Sequence, residues 1–245
     1  MAVPDPGRPL IPDPGRSLKR SAHALAAAIA ACGVLAITRA LPGFSSLGPR
    51  GALFGWLASA TAITLVLPAI VTFGVARVPL AQVGIGWGRA RRDAVFLVGG
   101  VIVAIAIGAV LSLSPTVNAY YPRYRPVREQ PLLWIPSTLA FAAYGLAWEA
   151  LFRGHLLLAL RREGDSAMRA ARLVALQTAV FAIGHLDKPA AEAWLSIPAG
   201  IFLGALAWRT GSVLPGFLLH FAASTSVNLF CAYGRWGLDG GAAVR

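Results

Sequence analysis

One glutamate lies deep in an apolar stretch of this 245-residue chain, and three other ionisable residues accompany it. Glu149 occurs in the run AYGLAWEALFRGHLLLAL, with Arg153 four residues later. His185 ends the segment FAIGH, and His220 lies within GFLLHFAAS. Ionisable side chains are unfavourable inside a bilayer, so such residues mark candidate functional sites. The spacing of Glu149 and Arg153 places both on one helix face, where a purely structural ion pair is the alternative explanation.

Sequence distances predict that these groups lie at one depth in the membrane. The separation from the arginine that flanks each segment is 12 residues for Glu149, 13 for His185 and 11 for His220. At a helical rise of 1.5 Å per residue, all three lie about 16–20 Å from the same membrane face. We therefore expect Glu149, His185 and His220 to line one cavity.

A glutamate and two histidines are suited to hydrolytic chemistry. A glutamate can accept a proton from water, and a histidine can orient that water or stabilise an oxyanion. Glu149, His185 and His220 also match the ligand set of a catalytic zinc, so zinc is an open alternative. The chain has no HExxH motif, and the spacing therefore does not choose between a metal-dependent and a glutamate mechanism.

Composition indicates which class of protein must position these residues. Hydrophobic residues make up 57% of the chain, charged residues 13%, and the mean hydropathy is +0.65. Soluble domains carry roughly 25% charged residues, so a disordered chain, a coiled coil and an ordinary soluble enzyme are excluded. Seven apolar runs approach the length of a membrane span. They are 22–41, 52–75, 93–113, 132–161, 172–187, 191–208 and 213–233.

These runs predict an all-α fold, a polytopic transmembrane bundle of seven or eight helices. The run 132–161 is too long for one straight crossing, and we expect it to tilt steeply or to break near Trp148. Residues 1–21 are rich in Pro, Gly and Arg and are predicted to form a disordered cytoplasmic arm. Residues 22–236 then form the transmembrane domain.

The net charge of +12 has a membrane explanation. The basic residues lie between apolar runs and form no stripe with interleaved aromatic residues, so we expect the lipid bilayer as a partner and no nucleic acid. With a cytoplasmic N-terminus, the inner side holds 13 Lys and Arg residues and the outer side 7. The positive-inside rule therefore favours a cytoplasmic N-terminus.

Three short segments carry the ionisable residues in a characteristic order. The first reads WEALFRG and begins at Trp148, and the second reads FAIGH and ends at His185. The third reads GALAWRTGSVLPGFLLH and ends at His220. These segments resemble the EExxxR, FxxxH and HxxxN motifs of the CPBP family of intramembrane proteases, also called the Abi or CAAX protease-like family. The resemblance covers about residues 132–230.

Two positions depart from the family's motifs. Trp148 stands where the family has its first glutamate, which is usually taken as catalytic. Ser224 replaces the asparagine of the third motif, and Asn228, a further turn along, could substitute for it in part. Neighbouring helix positions differ by about 100° around the axis, so Glu149 points where the missing carboxylate pointed only if the helix is rotated or broken.

The resemblance implies an integral membrane endopeptidase, expected in a bacterial inner membrane. Glu149 would activate water and Arg153 would hold its carboxylate. His185 and His220 would polarise the scissile carbonyl and stabilise the tetrahedral intermediate, with assistance from Ser224.

The expected partner is a membrane-anchored peptide or protein, processed at a leader or at a C-terminal sorting tag. The resemblance leaves open whether zinc takes part. A catalytically degenerate binding or immunity protein is the alternative, and the missing first glutamate at Trp148 favours it.

Overall fold

The computed structural model describes residues 48–75, 77–89 and 94–234. These residues contain seven α-helices and no strand, which confirms the all-α fold class. The predicted N-terminal arm at 1–21 and the first apolar run at 22–41 lie outside the described residues. The cytoplasmic N-terminus therefore stays a prediction.

The helices follow the predicted apolar runs closely, with one addition. They are α1 (Gly48–Ala69), α2 (Ala94–Leu111), α3 (Pro115–Tyr120), α4 (Trp134–Glu149), α5 (Ala167–Ile183), α6 (Ala190–Thr210) and α7 (Leu214–Tyr233). The short helix α3 was not predicted, because six residues in a polar connection give no hydropathy signal. Short 3₁₀ turns occur at Leu80–Val83, Arg125–Arg128, Pro131–Leu133 and Leu158–Leu160.

Within the described residues, three helical segments are long and apolar enough to cross a membrane, namely Arg50–Val75, Ala190–Thr210 and Leu214–Tyr233. A fourth apolar segment, Val95–Leu111, is shorter. Along it, Val95, Val98 and Val110 are all exposed. Contiguous apolar surface of this kind is rare on soluble proteins. The exposed faces are those of an integral membrane protein.

The long run 132–161 breaks close to the predicted position. Helix α4 ends at Glu149 and passes into a π-helical segment, Ala150–His155. Helix α1 likewise ends in a π-helical segment, Ile70–Val75. The two segments meet where His155 Nδ1 and Thr72 Oγ1 lie 2.9 Å apart. Single π-helical turns often occur at functional sites, and here one of them carries Arg153.

Contacts at the start of α4 define the orientation of its two neighbours. At its start, Arg50 at the beginning of α1 donates to Gln130, so α1 and α4 run parallel. Trp134 Nε1 donates to the hydroxyl of Tyr233 at the end of α7, so α4 and α7 run antiparallel. This arrangement brings the end of α4 beside the first turns of α7.

Helices α5 and α6 pack closely at glycine residues. A Cβ at Gly204 would lie 2.4 Å from Gln177 Nε2, and that amide donates to the Gly200 carbonyl at 2.7 Å. The aromatic ring of Phe181 on α5 packs with Phe152 and Trp148 in the buried core between α4 and α5. The core thereby sets the end of α5 against the end of α4.

Candidate active site

Glu149 is the centre of a polar cluster formed by α4, the π-helical segment after it and α7. Its Oε1 accepts a hydrogen bond from Arg153 Nη1 at 3.1 Å and lies 2.7 Å from His220 Nδ1. The Glu149 and Arg153 side chains are both completely buried. The guanidinium carbon of Arg153 lies 4.2 Å from the centre of the Phe181 ring, in cation–π geometry. The ion pair predicted from the sequence spacing is therefore present, and α7 adds a third member.

A glycine on α7 makes this approach feasible. A Cβ at Gly216 would lie 3.0 Å from Glu149 Oε2, closer than a side chain can sit without displacing the carboxylate. Glu149 Oε2 is buried and has no hydrogen-bond partner within the described residues. The same holds for Nε and Nη2 of Arg153. Unpaired buried polar atoms are rare, and ordered water usually satisfies them.

The hydrogen bonds of the two histidines determine their tautomers. His220 Nδ1 faces the Glu149 carboxylate, and His185 Nδ1 lies 2.8 Å from the Phe181 carbonyl oxygen. An ionised carboxylate and a carbonyl oxygen only accept, so each Nδ1 carries the proton. In the neutral form of this tautomer, a histidine ring keeps a lone pair on Nε2. The ring centres are 6.3 Å apart, close enough for both rings to act on one small group.

Both histidines line a narrow cavity of about 80 Å³. Aromatic side chains form much of its wall, among them Tyr144, Trp148 and Phe217. Ser224 and Asn228 also line it. A space of this size accommodates water or one small side chain. Its wall within the described residues includes no carboxylate.

We expected Glu149, His185 and His220 to line one cavity. The two histidines do, but Glu149 does not. Trp148 takes the cavity-facing position instead, and a Cβ on Gly184 would lie 3.0 Å from its indole ring. Consecutive positions point about 100° apart around a helix, so only one of the two can face the cavity. Glu149 reaches the cavity through His220.

The predicted auxiliary residues lie further along α7. Ser224 lines the cavity, and its backbone carbonyl accepts a hydrogen bond from Asn228 Nδ2 at 2.8 Å. Asn228 Oδ1 accepts from the backbone N–H of Arg123 at 2.9 Å. Asn228 therefore anchors the connection that follows α3 while also contributing to the cavity wall.

A second polar cluster, at the cavity rim, was missed by the sequence analysis. Tyr121 donates its hydroxyl to Glu192 Oε2, and Lys188 donates to Glu192 Oε1, both at 2.6 Å. Burial, and then the negative charge of Glu192, hold the pKa of Tyr121 well above its ordinary value. The spacing of Lys188 and Glu192 was a usable signal for their pairing, but Tyr121 is too distant in sequence to be found that way.

The side chains present do not complete a zinc site. No group of three or more His, Cys, Asp or Glu residues among the described positions converges on a point that could hold a metal ion. Catalytic zinc takes three protein ligands, whereas only His185 and His220 offer free nitrogens here. The carboxylate that would be the third ligand, Glu149, lies outside the cavity that His185 and His220 line.

Comparison with known proteins gives one family. Residues 130–226 match the family model described as type II CAAX prenyl endopeptidase Rce1-like. The match confirms the resemblance noted at about 132–230, and it includes Glu149, His185 and His220. No curated protein and no solved structure matches the chain significantly.

Proposed function

We propose that this chain is an intramembrane peptidase, a proposal supported by the match of residues 130–226 to the Rce1-like family model. The observation that carries the proposal is the 2.7 Å contact between Glu149 and His220 beside a cavity enclosed by membrane helices. A carboxylate that holds a histidine in one tautomer is a recurring arrangement for activating a nucleophile.

In this mechanism His220 is the general base. As the oxygen of a water molecule attacks the carbonyl carbon of the scissile peptide, Nε2 of His220 accepts a proton from it. Glu149 keeps the ring in the required tautomer and stabilises the imidazolium that forms. Arg153 holds the Glu149 carboxylate. Glu149 thus acts through His220 rather than on water directly, because both of its oxygens are covered.

The remaining cavity residues have complementary roles. The Nε2 lone pair of His185 accepts a hydrogen bond from the second O–H of the attacking water and so orients it, and that hydrogen stays on the oxygen. The Ser224 hydroxyl donates to the oxyanion of the tetrahedral intermediate. The proton held by His220 then passes to the leaving nitrogen, the C–N bond breaks, and the products are a carboxylic acid and an amine.

The substrate in this proposal is a membrane-anchored peptide or protein. Two of the helices that line the cavity, α1 and α7, belong to segments long and apolar enough to cross a membrane, so a substrate anchored in the same bilayer lies near it. Processing of a leader or of a C-terminal sorting tag fits such a position. We place the protein in a bacterial inner membrane with its N-terminus in the cytoplasm, following the distribution of basic residues.

The test uses membranes that contain the full chain and a library of membrane-anchored peptides, with new termini identified by mass spectrometry. The wild type should generate products that His220→Ala does not, with a loss of about 10²–10⁴-fold in rate. His155→Gln is the matched control, because His155 lies in the neighbouring π-helical segment and does not line the cavity. Equal activity of His220→Ala and the wild type contradicts the mechanism.

A non-catalytic binding or immunity protein is the second candidate, and Trp148 supports it. Its indole occupies the cavity wall at the position of the family's first glutamate. Trp148→Glu separates the two functions in the same assay. If the chain is an enzyme that has lost its activity, the wild type shows no proteolysis and Trp148→Glu restores some. If the chain is a working peptidase, the change lowers activity, because it places a second carboxylate beside Glu149.

A further inference from the structure

An arginine-lined groove of about 660 Å³ lies at the end of the bundle where α1 begins. It is separate from the histidine cavity, and no residue lines both. Arg50, Arg125 and Arg128 line it, together with Glu129 and Gln130. With three cationic residues and one acidic residue, the groove is suited to an anion.

The three arginines are held in place by neutral acceptors. Arg50 Nη2 donates to Gln130 Oε1 at 2.6 Å, Arg125 Nη2 to the Ala119 carbonyl at 2.5 Å, and Arg128 Nη2 to the Cys231 carbonyl at 3.0 Å. None of the three pairs with a carboxylate in the described part of the chain. Their positive charges are therefore oriented but not neutralised.

The groove lies at the boundary of the membrane. The apolar span that contains α1 begins at Arg50, one of the groove residues. Directly after Gln130, a stripe of exposed apolar side chains continues along the start of α4. Leu132 is 83% exposed, Ile135 65% and Leu139 66%. Ile135 and Leu139 are four residues apart and lie on one side of α4, and Leu132 precedes them in the 3₁₀ turn Pro131–Leu133.

We propose that this groove binds the phosphate of an anionic phospholipid whose acyl chains lie along Leu132, Ile135 and Leu139. Guanidinium groups bind phosphate through paired N–H donors and remain charged at any physiological pH. The groove alone would suit any phosphate. The apolar stripe that leads directly from it favours a phosphate attached to acyl chains.

The experiment is native mass spectrometry of the purified full chain in detergent. Phosphatidylglycerol and phosphatidylcholine with identical acyl chains are titrated separately. The proposal predicts tighter binding of phosphatidylglycerol, and a tightest-binding site for one molecule. Dioleoyl phosphatidylglycerol should not be displaced by millimolar inorganic phosphate, which lacks the contacts to the stripe.

The decisive variant is Arg50→Gln combined with Arg125→Gln. Each lost charge should weaken phosphatidylglycerol binding roughly fivefold, so the double variant should lose roughly 25-fold. The matched control is Arg162→Gln combined with Arg172→Gln, which removes two exposed charges outside the groove. An unchanged melting temperature in detergent shows that the groove variant is folded, and Arg50→Lys with Arg125→Lys should retain the lipid preference.

Three outcomes overturn the proposal. The first is equal affinity for the two lipids, and the second is an equal loss in the groove variant and its control. The third is displacement of the lipid by inorganic phosphate, which would make the groove a site for free phosphate. Because none of these measurements involves proteolysis, failure here leaves the proposed peptidase activity untouched.

Discussion

Two glutamates of this chain each contact a basic residue four positions away and a ring from a distant segment, but they differ in burial. Glu149 pairs with Arg153 four residues later, and Glu192 pairs with Lys188 four residues earlier. Each glutamate also binds a ring from a distant segment, a histidine in one case and a tyrosine in the other. The first pair is fully buried, whereas the side chains of the second are 19% and 21% exposed.

The difference teaches that a contact pattern does not define a function. The side chains of Glu149 and Arg153 are completely buried, so their contact acts at low dielectric and removal of one partner leaves a buried charge. Around Glu192, water screens the same kind of ion pair. The buried pair can therefore hold His220 in a fixed orientation, while the rim cluster ties the connection after α3 to the start of α6.

The largest expected effect is on catalysis. Glu149→Gln keeps the shape of the side chain but removes the charge that stabilises a protonated His220, so peptidase activity should fall by about 10²–10⁴-fold. Glu192→Gln is the matched substitution at the rim and should reduce activity less than about tenfold, because that carboxylate touches no proposed catalytic group. Rates of product formation in membranes measure both. If Glu149→Gln and Glu192→Gln lose similar amounts of activity, the two clusters do not differ in their importance for catalysis.

The next effect is on stability. Arg153→Met leaves the Glu149 carboxylate buried without its cation, which should lower the free energy of unfolding by about 3–5 kcal/mol. Denaturant titration in micelles measures it. Adding Glu149→Gln to Arg153→Met should restore part of the loss, since no uncompensated charge then remains. If the loss in free energy of unfolding of the double variant equals the sum of the losses of the two single variants, the two side chains do not form a desolvated ion pair.

Tyr121→Phe tests the rim cluster with a smaller effect. The phenol donates to a carboxylate, and a hydrogen bond to a charged group contributes about 1.5–3 kcal/mol. Because the pKa of Tyr121 is raised in the folded state, its contribution is complete below the ordinary tyrosine pKa of about 10 and declines as pH rises beyond it. Unfolding measured between pH 8 and about pH 11 should show this decline in the wild type and a smaller one in Tyr121→Phe.

The smallest effect belongs to Lys188→Met. A partly exposed ion pair contributes about 0.2–1 kcal/mol, and methionine retains the apolar part of the side chain. The same denaturant titration should therefore show a change several times smaller than that of Arg153→Met. A change of comparable size would mean that the rim is as dehydrated as the buried pair, and the comparison would fail.

Much of the fold was predictable because the helices are apolar and the connections are not. The predicted run 213–233 corresponds to α7 at Leu214–Tyr233, and the run 191–208 to α6 at Ala190–Thr210. The break after Trp148 was also anticipated, from length alone. Helix α3 was not, because its sequence PTVNAY has neither the length nor the hydropathy of a span.

The candidate site was predictable in membership but not in arrangement. Counting residues from the flanking arginines indicated that Glu149, His185 and His220 share one depth, and the structure brings them together. The count contains no information on rotation about a helix axis. It could not reveal that Trp148 faces the cavity or that Glu149 lies behind His220.

The sequence by itself determined the membrane character of the chain, the order of its apolar helices and the expectation that its ionisable residues lie at one level. These follow from local composition and from a constant rise per residue. Only the tertiary structure decided which face of α4 meets α7, how the two histidines share their protons, and that Tyr121 joins Glu192. Those features depend on close contacts between distant segments, such as the approach of α7 to α4 at Gly216, and no local pattern specifies them.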